Sequence, residues 1–439
     1  MLLTLLLLPV ATGFTLKPTQ TMAFTSKCAA LSHFFLLLFF LLSTGPIFPV
    51  ISFPVGVNYG QIANDLPSPS DVAKLLQSIG INKVKLYDAD PRVLHAFANT
   101  HIEFIIGLDN EFLPKMTNQA KSLAWVKDNV QAYFPSTKIT CITVGNEILT
   151  GNDSVLMANL LPAMQSVHQA LQTLGLDKQV TISTAHSLAI LASSYPPSNG
   201  AFREDLSEFI TPLLDFHSKT RSPFLINAYP YFAYKANPKQ VPLEYVLFEE
   251  NQGMKDPGSG LHYDNMLFAQ IDAARSAMAR LGHGSVELKV SETGWPSKGD
   301  TDEAGATPDN ARHYNGNLFQ LLAKGKGTPL KPNNAPDVYV FALFNENMKP
   351  GPGSERNYGL FKPDGTPAYD LGLGSRADPN LGDAAPPLRG DGADHTSSSS
   401  TSTASFTISS AKGLLVDMDA VCLQILIGTL MLLIWRKHL

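Results

Sequence analysis

Cysteine is nearly missing from this 439-residue chain, which has only Cys28, Cys141 and Cys422. The first and last lie in terminal segments read below as removed on maturation, so Cys141 is left without a partner. That excludes a disulfide framework and any cysteine-rich appendage, and the remaining thiol reads as a small hydrophobe inside a strand. Metal-ligand spacing is missing too: eleven histidines form no His-Glu-x-x-His or comparable pattern, and the reading includes no metal and no cofactor. Nor is there an excess of positive charge. With 33 Lys and Arg against 38 Asp and Glu the net charge is −5, which leaves no electrostatic footprint for nucleic acid and suits a neutral partner.

Long apolar runs are confined to the two ends. Apolar blocks at 2–10 and 34–42 flank Met22, and from Met22 onward Lys27, the second block and the small residues at 43–45 have the order of a secretory signal. Residues 1–52 are therefore read as a signal region whose part before Met22 is an artefactual extension. At the other end, 376–411 form a Gly/Pro-rich and then Ser/Thr-rich linker, and 412–439 have the hydrophobic pattern of a glycolipid-anchor signal. Ser409, Ser410 and Ala411 offer an attachment site, with Gly392 and Ala393 as an alternative that needs a longer spacer. The rival reading is a C-terminal membrane span followed by Arg436, Lys437 and His438. A span needs roughly 17–25 apolar residues, and Asp417 and Asp419 stop the run from extending backwards. Both readings place the protein on the extracellular face of the plasma membrane.

The middle, 53–375, alternates short β-rich runs with segments of helical period. Strands are expected at 55–59, 83–87, 103–108, 139–145, 180–184, 224–229, 287–291 and 337–344. Helical patterns separate most of them, at 70–79, 119–133, 153–174 and 263–281. Eight such units imply an α/β fold, a single (β/α)8 TIM barrel. Glu147 and Glu292 then fall at the ends of strands four and seven, on the face where barrel active sites sit.

The chemistry rests on two motifs, Val-Gly-Asn-Glu at 144–147 and Ser-Glu-Thr-Gly-Trp at 291–295. A glutamate after a strand commonly caps a helix or pairs with a cation. Here Asn146 stands beside Glu147, and Gly294, Trp295 and Pro296 follow Glu292. Two carboxylates delivered to one cleft are what glycoside hydrolysis requires. The strand ends also carry Tyr59, Tyr87, Tyr229, Tyr231, Asn345 and Glu346, and aromatic faces with scattered carboxylates and amides suit sugar rings. Trp295 is assigned a sugar-stacking role.

With further motifs the chain resembles plant endo-1,3-β-glucanases of glycoside hydrolase family 17 over 55–371. These are Gly-Val-Asn-Tyr-Gly at 56–60, Lys-Leu-Tyr-Asp-Ala-Asp at 85–90, Asn-Ala-Tyr-Pro-Tyr-Phe-Ala-Tyr at 227–234, Val-Ser-Glu-Thr-Gly-Trp-Pro-Ser at 290–297 and Phe-Asn-Glu-Asn at 344–347. The resemblance implies a retaining double displacement on 1,3-β-glucan, callose or fungal wall polymer, by a monomer. Glu292 would be the nucleophile and Glu147 the general acid and base, their carboxyls about 5–5.5 Å apart. It also implies a supporting cluster of Glu346, Lys349 and Glu355, with Lys349 keeping Glu292 ionised, or else a plain ion network. Tyr87, Asn146 and Tyr229 would contact sugar or orient the glutamates. Long family members carry a cysteine-rich carbohydrate-binding module that this chain lacks, so the cleft and the lipid anchor would hold it to its substrate and membrane. Asn152, in Asn-Asp-Ser, fits an N-glycosylation sequon. Mixed-linkage 1,3-1,4-β-glucan cleavage, transglycosylation and a catalytically silent glucan-binding barrel remain as alternatives.

Overall fold

In the computed structural model, which describes residues 55–371, the β-rich runs become eight parallel strands. They are β1 (Val55–Asn58), β2 (Lys83–Lys85), β3 (Glu103–Leu108), β4 (Lys138–Asn146), β5 (Thr181–Ser187), β6 (Phe224–Asn227), β7 (Leu288–Thr293) and β8 (Val338–Val340). Each pairs with its neighbours in chain order, and β1 pairs with β8 through Val55 opposite Val338 and Val57 opposite Val340, closing the barrel. Sealing β1 against β8 requires Gly56, because a Cβ there would lie 2.3 Å from the Tyr339 ring. The expected signal region, linker and anchor signal lie outside the described residues, and no helix within them is long and apolar enough to cross a membrane.

Helices follow each of the first seven strands: α1 (Pro69–Ser78), α2 (Pro91–Ala96), α3 (Gln119–Val126), α4 (Ser154–Thr173), α5 (Ser207–Thr220), α6 (Met266–Arg280) and α7 (Pro308–Ala323). Except for α5, which follows Leu206 without a side-chain cap, their starts are written in the sequence as side-chain caps. Ser68 accepts from Asp71 N ahead of a Pro at N1, and Asp153 accepts from both Val155 N and Leu156 N to launch the twenty-residue α4. α6 begins at Met266, later than its apolar period suggested, because His262–Tyr263 pair antiparallel with Met254–Lys255 and Asn265 caps the helix by accepting from Phe268 N. β7 runs two residues beyond its expected end and so includes Glu292, while β6 stops at Asn227 because Pro230 opens a short helix.

Polarity is graded along the barrel axis. At the amino end Asp337 binds Lys83 Nζ at 2.8 Å and Lys289 Nζ at 3.0 Å, stitching β2, β7 and the start of β8. Burial works against the Asp337 charge, yet the two ammonium groups hold its carboxyl below the ordinary range. Next comes an apolar plug of Ile105, Cys141 and Tyr339, where burial pushes the thiol up to about 11. Cys141, the one cysteine among the described residues, is packing material, as the sequence suggested.

Between the barrel and its helical jacket lie two buried histidines, His186 on β5 and His217 on α5, both close to the Phe224 ring. Burial depresses them to about 3 and about 4. The unfolded chain takes up protons near pH 6.5 that the fold refuses, so stability is lost as pH falls from about 6.5 toward 4, by about 1.4 kcal/mol per pH unit for each fully depressed histidine. Urea titrations of wild type and a His186→Leu/His217→Leu double variant across that window should give a flatter pH slope for the variant; equal slopes would show that other groups govern acid stability.

Candidate active site

Strand geometry brings the two glutamates to the carboxyl end of the barrel, at a cleft of about 610 Å³. Glu292 is the penultimate residue of β7, and Glu147 directly follows β4. The Glu292 carboxylate is buried and fully engaged. Lys85 Nζ donates to Oε1 at 2.9 Å, Tyr87 Oη to the same oxygen at 2.7 Å, and Tyr229 Oη to Oε2 at 2.9 Å. Burial alone would raise this carboxyl, but the Lys85 charge and the three hydrogen bonds more than offset it and hold it below the ordinary value. Burial and then the Glu292 charge push both phenols well above the ordinary tyrosine value, which keeps them as neutral donors.

Glu147 sits in an opposite environment. No cation among the described residues pairs with it; Asn227 Nδ2 donates to its Oε1 at 2.9 Å, and burial followed by the charge of Glu292 raises its carboxyl. Asn227 in turn accepts from Ser291 Oγ at 2.7 Å and stands opposite Glu292 in the β6–β7 register, so one amide ties the two glutamate-bearing strands together. One carboxyl thus favours the anion and its neighbour favours the acid, the division of labour that acid-assisted displacement at an acetal needs.

The sequence profile of Glycosyl hydrolases family 17 matches residues 55–373. The chain belongs to that family. Among curated relatives, glucan endo-1,3-beta-glucosidase 11 of Arabidopsis thaliana is 63% identical over 339 residues, covering 77% of this chain and 80% of the relative. Glucan endo-1,3-beta-glucosidase 14 of the same plant is 61% identical over 320 residues, covering 73% and 82%. Among solved structures, the β-1,3-glucanase and allergen CJP38 of Cryptomeria japonica pollen superposes with a TM-score of 0.70 at 38% identity, covering 73% of this chain and 99% of that one.

Around the pair of this family 17 hydrolase, two assignments made from sequence need correction. The first is Trp295, which is no sugar platform. Gly294 lies against the Phe341 carbonyl, where a Cβ would come within 2.1 Å, and the chain turns there. Trp295 is left wholly buried among Tyr231, Tyr234 and Tyr314 of α7, with its indole N–H donating to Gly305 O at 2.8 Å. Tyr231 is buried with it. The second concerns Lys349, whose ammonium pairs with Glu355 Oε2 at 3.2 Å and lies 4.0 Å from Glu346 Oε2 and 4.3 Å from the Phe341 ring centroid. The cation bonded to Glu292 is Lys85. Glu346 accepts from Ile62 N at 3.1 Å, and burial raises its carboxyl despite Lys349.

The remaining expected residues do gather at the cleft. Tyr59 forms part of its floor, with burial lifting the phenol to about 12, and Asn146 Oδ1 lies 3.4 Å from Asn227 Nδ2. Asn152 is exposed on the loop after β4. Three residues of the site are not marked as functional by the family motifs that contain them: Asn227, Lys85 and Phe232. Lys85 carried a readable signal: Lys83 and Lys85 alternate on one face of a three-residue strand, so a barrel must bury the second beside an acid. Phe232 and Ile62 are about half exposed, at 45% and 49%, and line the cleft as the accessible apolar faces that Trp295 does not supply.

Proposed function

We propose that this family 17 hydrolase cleaves 1,3-β-glucosidic linkages within glucan chains by retaining double displacement, with Glu292 as nucleophile and Glu147 as general acid and base. The observation that carries the reading is the opposed ionisation of two glutamates in one cleft: Glu292 held as an anion by Lys85 and two phenols, Glu147 raised by burial and by the Glu292 charge. In the first step a Glu292 oxygen forms a bond to the anomeric carbon as the glycosidic C–O bond breaks, and the Glu147 proton passes to the departing oxygen. A water then loses a proton to Glu147 and bonds to the same carbon, releasing the Glu292 carboxylate. The 1,3-β assignment draws support from the names of the relatives that share more than 60% of aligned positions. Incubating the enzyme with laminarin should yield oligosaccharides of mixed length early in the reaction, with little attack on a mixed-linkage glucan. Glucose alone from chain ends, longer transfer products, preference for the mixed-linkage polymer, or no cleavage would each overturn the assignment.

We place the enzyme on the outer face of the plasma membrane, as a glycoprotein bearing sugar at the exposed Asn152 and held by a glycolipid anchor. The support is the order of small, polar and apolar residues in 376–439 and the leader pattern after Met22. Phosphatidylinositol-specific phospholipase should release it from cells. Retention, with Arg436 to Leu439 detected in the mature protein, would establish a span instead.

A further inference from the structure

Glu147 occupies an uncommon backbone conformation for a residue with a side chain. Its φ of 56° and ψ of 28° lie in the left-handed region, two residues after Gly145 with φ of 72°. Non-glycine residues persist there only where their surroundings hold them. The pairing of β4 explains why something must do so. β3 accompanies β4 only as far as Leu108 opposite Val144, and the β4–β5 register shifts between Thr143 and Asn146. The backbone of Asn146 would therefore face the β3 side with an unpaired N–H and C=O at the edge of a cleft.

One side chain fills that gap. Asn110, two residues beyond the end of β3, accepts from Asn146 N at 2.8 Å through Oδ1 and donates to Asn146 O at 3.2 Å through Nδ2. A carboxamide supplies one donor and one acceptor in a single plane, which is what the missing strand would have offered. On the opposite side the next amide, Glu147 N, donates to Ala185 O of β5 at 2.8 Å. The peptide that enters Glu147 is thus gripped from both flanks, and Asn227 fixes the far end of the side chain. Oδ1 of Asn110 would also lie 3.2 Å from a Cβ at position 145, so the clamp closes over glycine.

We propose that Asn110 is a positioning residue for the acid and base, holding Glu147 in its left-handed turn so that its carboxyl meets the leaving oxygen and later the attacking water. The inference rests on the role given to Glu147 above. It predicts a dependence on leaving group that a merely structural residue would not produce, because departure of an acidic phenol needs no proton while departure of a sugar hydroxyl does.

The test compares wild type, Asn110→Ala and Asn110→Asp on 1,3-β-glucan and on a dinitrophenyl β-laminarioligosaccharide. For Asn110→Ala, kcat/KM on the glucan should fall at least about 10-fold, while the single-turnover burst of dinitrophenolate should stay within about 2-fold of wild type. Azide, which needs no base, should raise the mutant's steady-state turnover of the aryl substrate. Asn110→Asp keeps the acceptor for Asn146 N–H and lacks the donor, so it should show the same split in milder form, and it carries the test if the alanine protein fails to fold. Equal losses on both substrates, or unchanged glucan cleavage, would overturn the proposal. A wild-type enzyme that releases dinitrophenolate yet leaves 1,3-β-glucan intact would overturn the substrate reading alone, and the clamp would then be judged by the same split on whichever glucan it does cleave.

Discussion

The chemistry of this barrel depends on a buried ion pair across its carboxyl end, between Lys85 of β2 and Glu292 of β7. Both side chains are almost inaccessible to water, at 1% and 9% exposure. A carboxylate in that position is costly unless a cation and hydrogen-bond donors replace its hydration. Lys85, Tyr87 and Tyr229 supply that replacement, and other parts of the fold serve to hold them. Asn58 of β1 accepts from Lys85 at 3.3 Å while its amide nitrogen donates to Ser291 O and Val340 O, so the lysine is braced through β1 against β7 and β8. Closure of the barrel brings these strands together, which is why the site needs all eight.

The same pair shapes its neighbour. Burial raises the Glu147 carboxyl most, and the anion kept ionised at Glu292 raises it further. The Asn227 hydrogen bond and the more distant Lys85 charge oppose the rise without cancelling it. The asymmetry follows from where one lysine is placed: among the described residues Glu292 has a cation within bonding distance and Glu147 has none, although both stand at strand ends of one barrel. The cluster of Lys349, Glu346 and Glu355 is a second charge system on the rim, tied to Ile62 and the loops after β8.

Much of this was legible in the sequence because barrels are repetitive. Eight β-rich runs are legible, most of them separated by helical periods, and motif ends such as Asn146-Glu147 and Ser291-Glu292 coincide with strand ends. Errors arose where a residue's surroundings come from distant chain. Lys85 and Glu292 are 207 residues apart, and the strand pattern that points Lys85 inward does not tell which acid it meets. Tryptophan after a strand end suggests a sugar platform, but Tyr314 of α7 and the helix Pro230–Ala236 bury Trp295 instead. Strand ends depend on distant partners in the same way: β4 runs on to Asn146, beyond its last β3 partner, because β5 still pairs with it.

The central claim is that Lys85 sets the ionisation of Glu292. The most direct measurement is the pH dependence of kcat/KM on 1,3-β-glucan for wild type and for Lys85→Met protein whose circular dichroism matches wild type, because that profile reports the free enzyme's ionisations. Removing the ammonium leaves burial unopposed by charge, so the Glu292 carboxyl must rise and the acidic limb of the profile should move to higher pH, with lower activity on the acid side. An acidic limb that stays where it is in wild type would contradict the account.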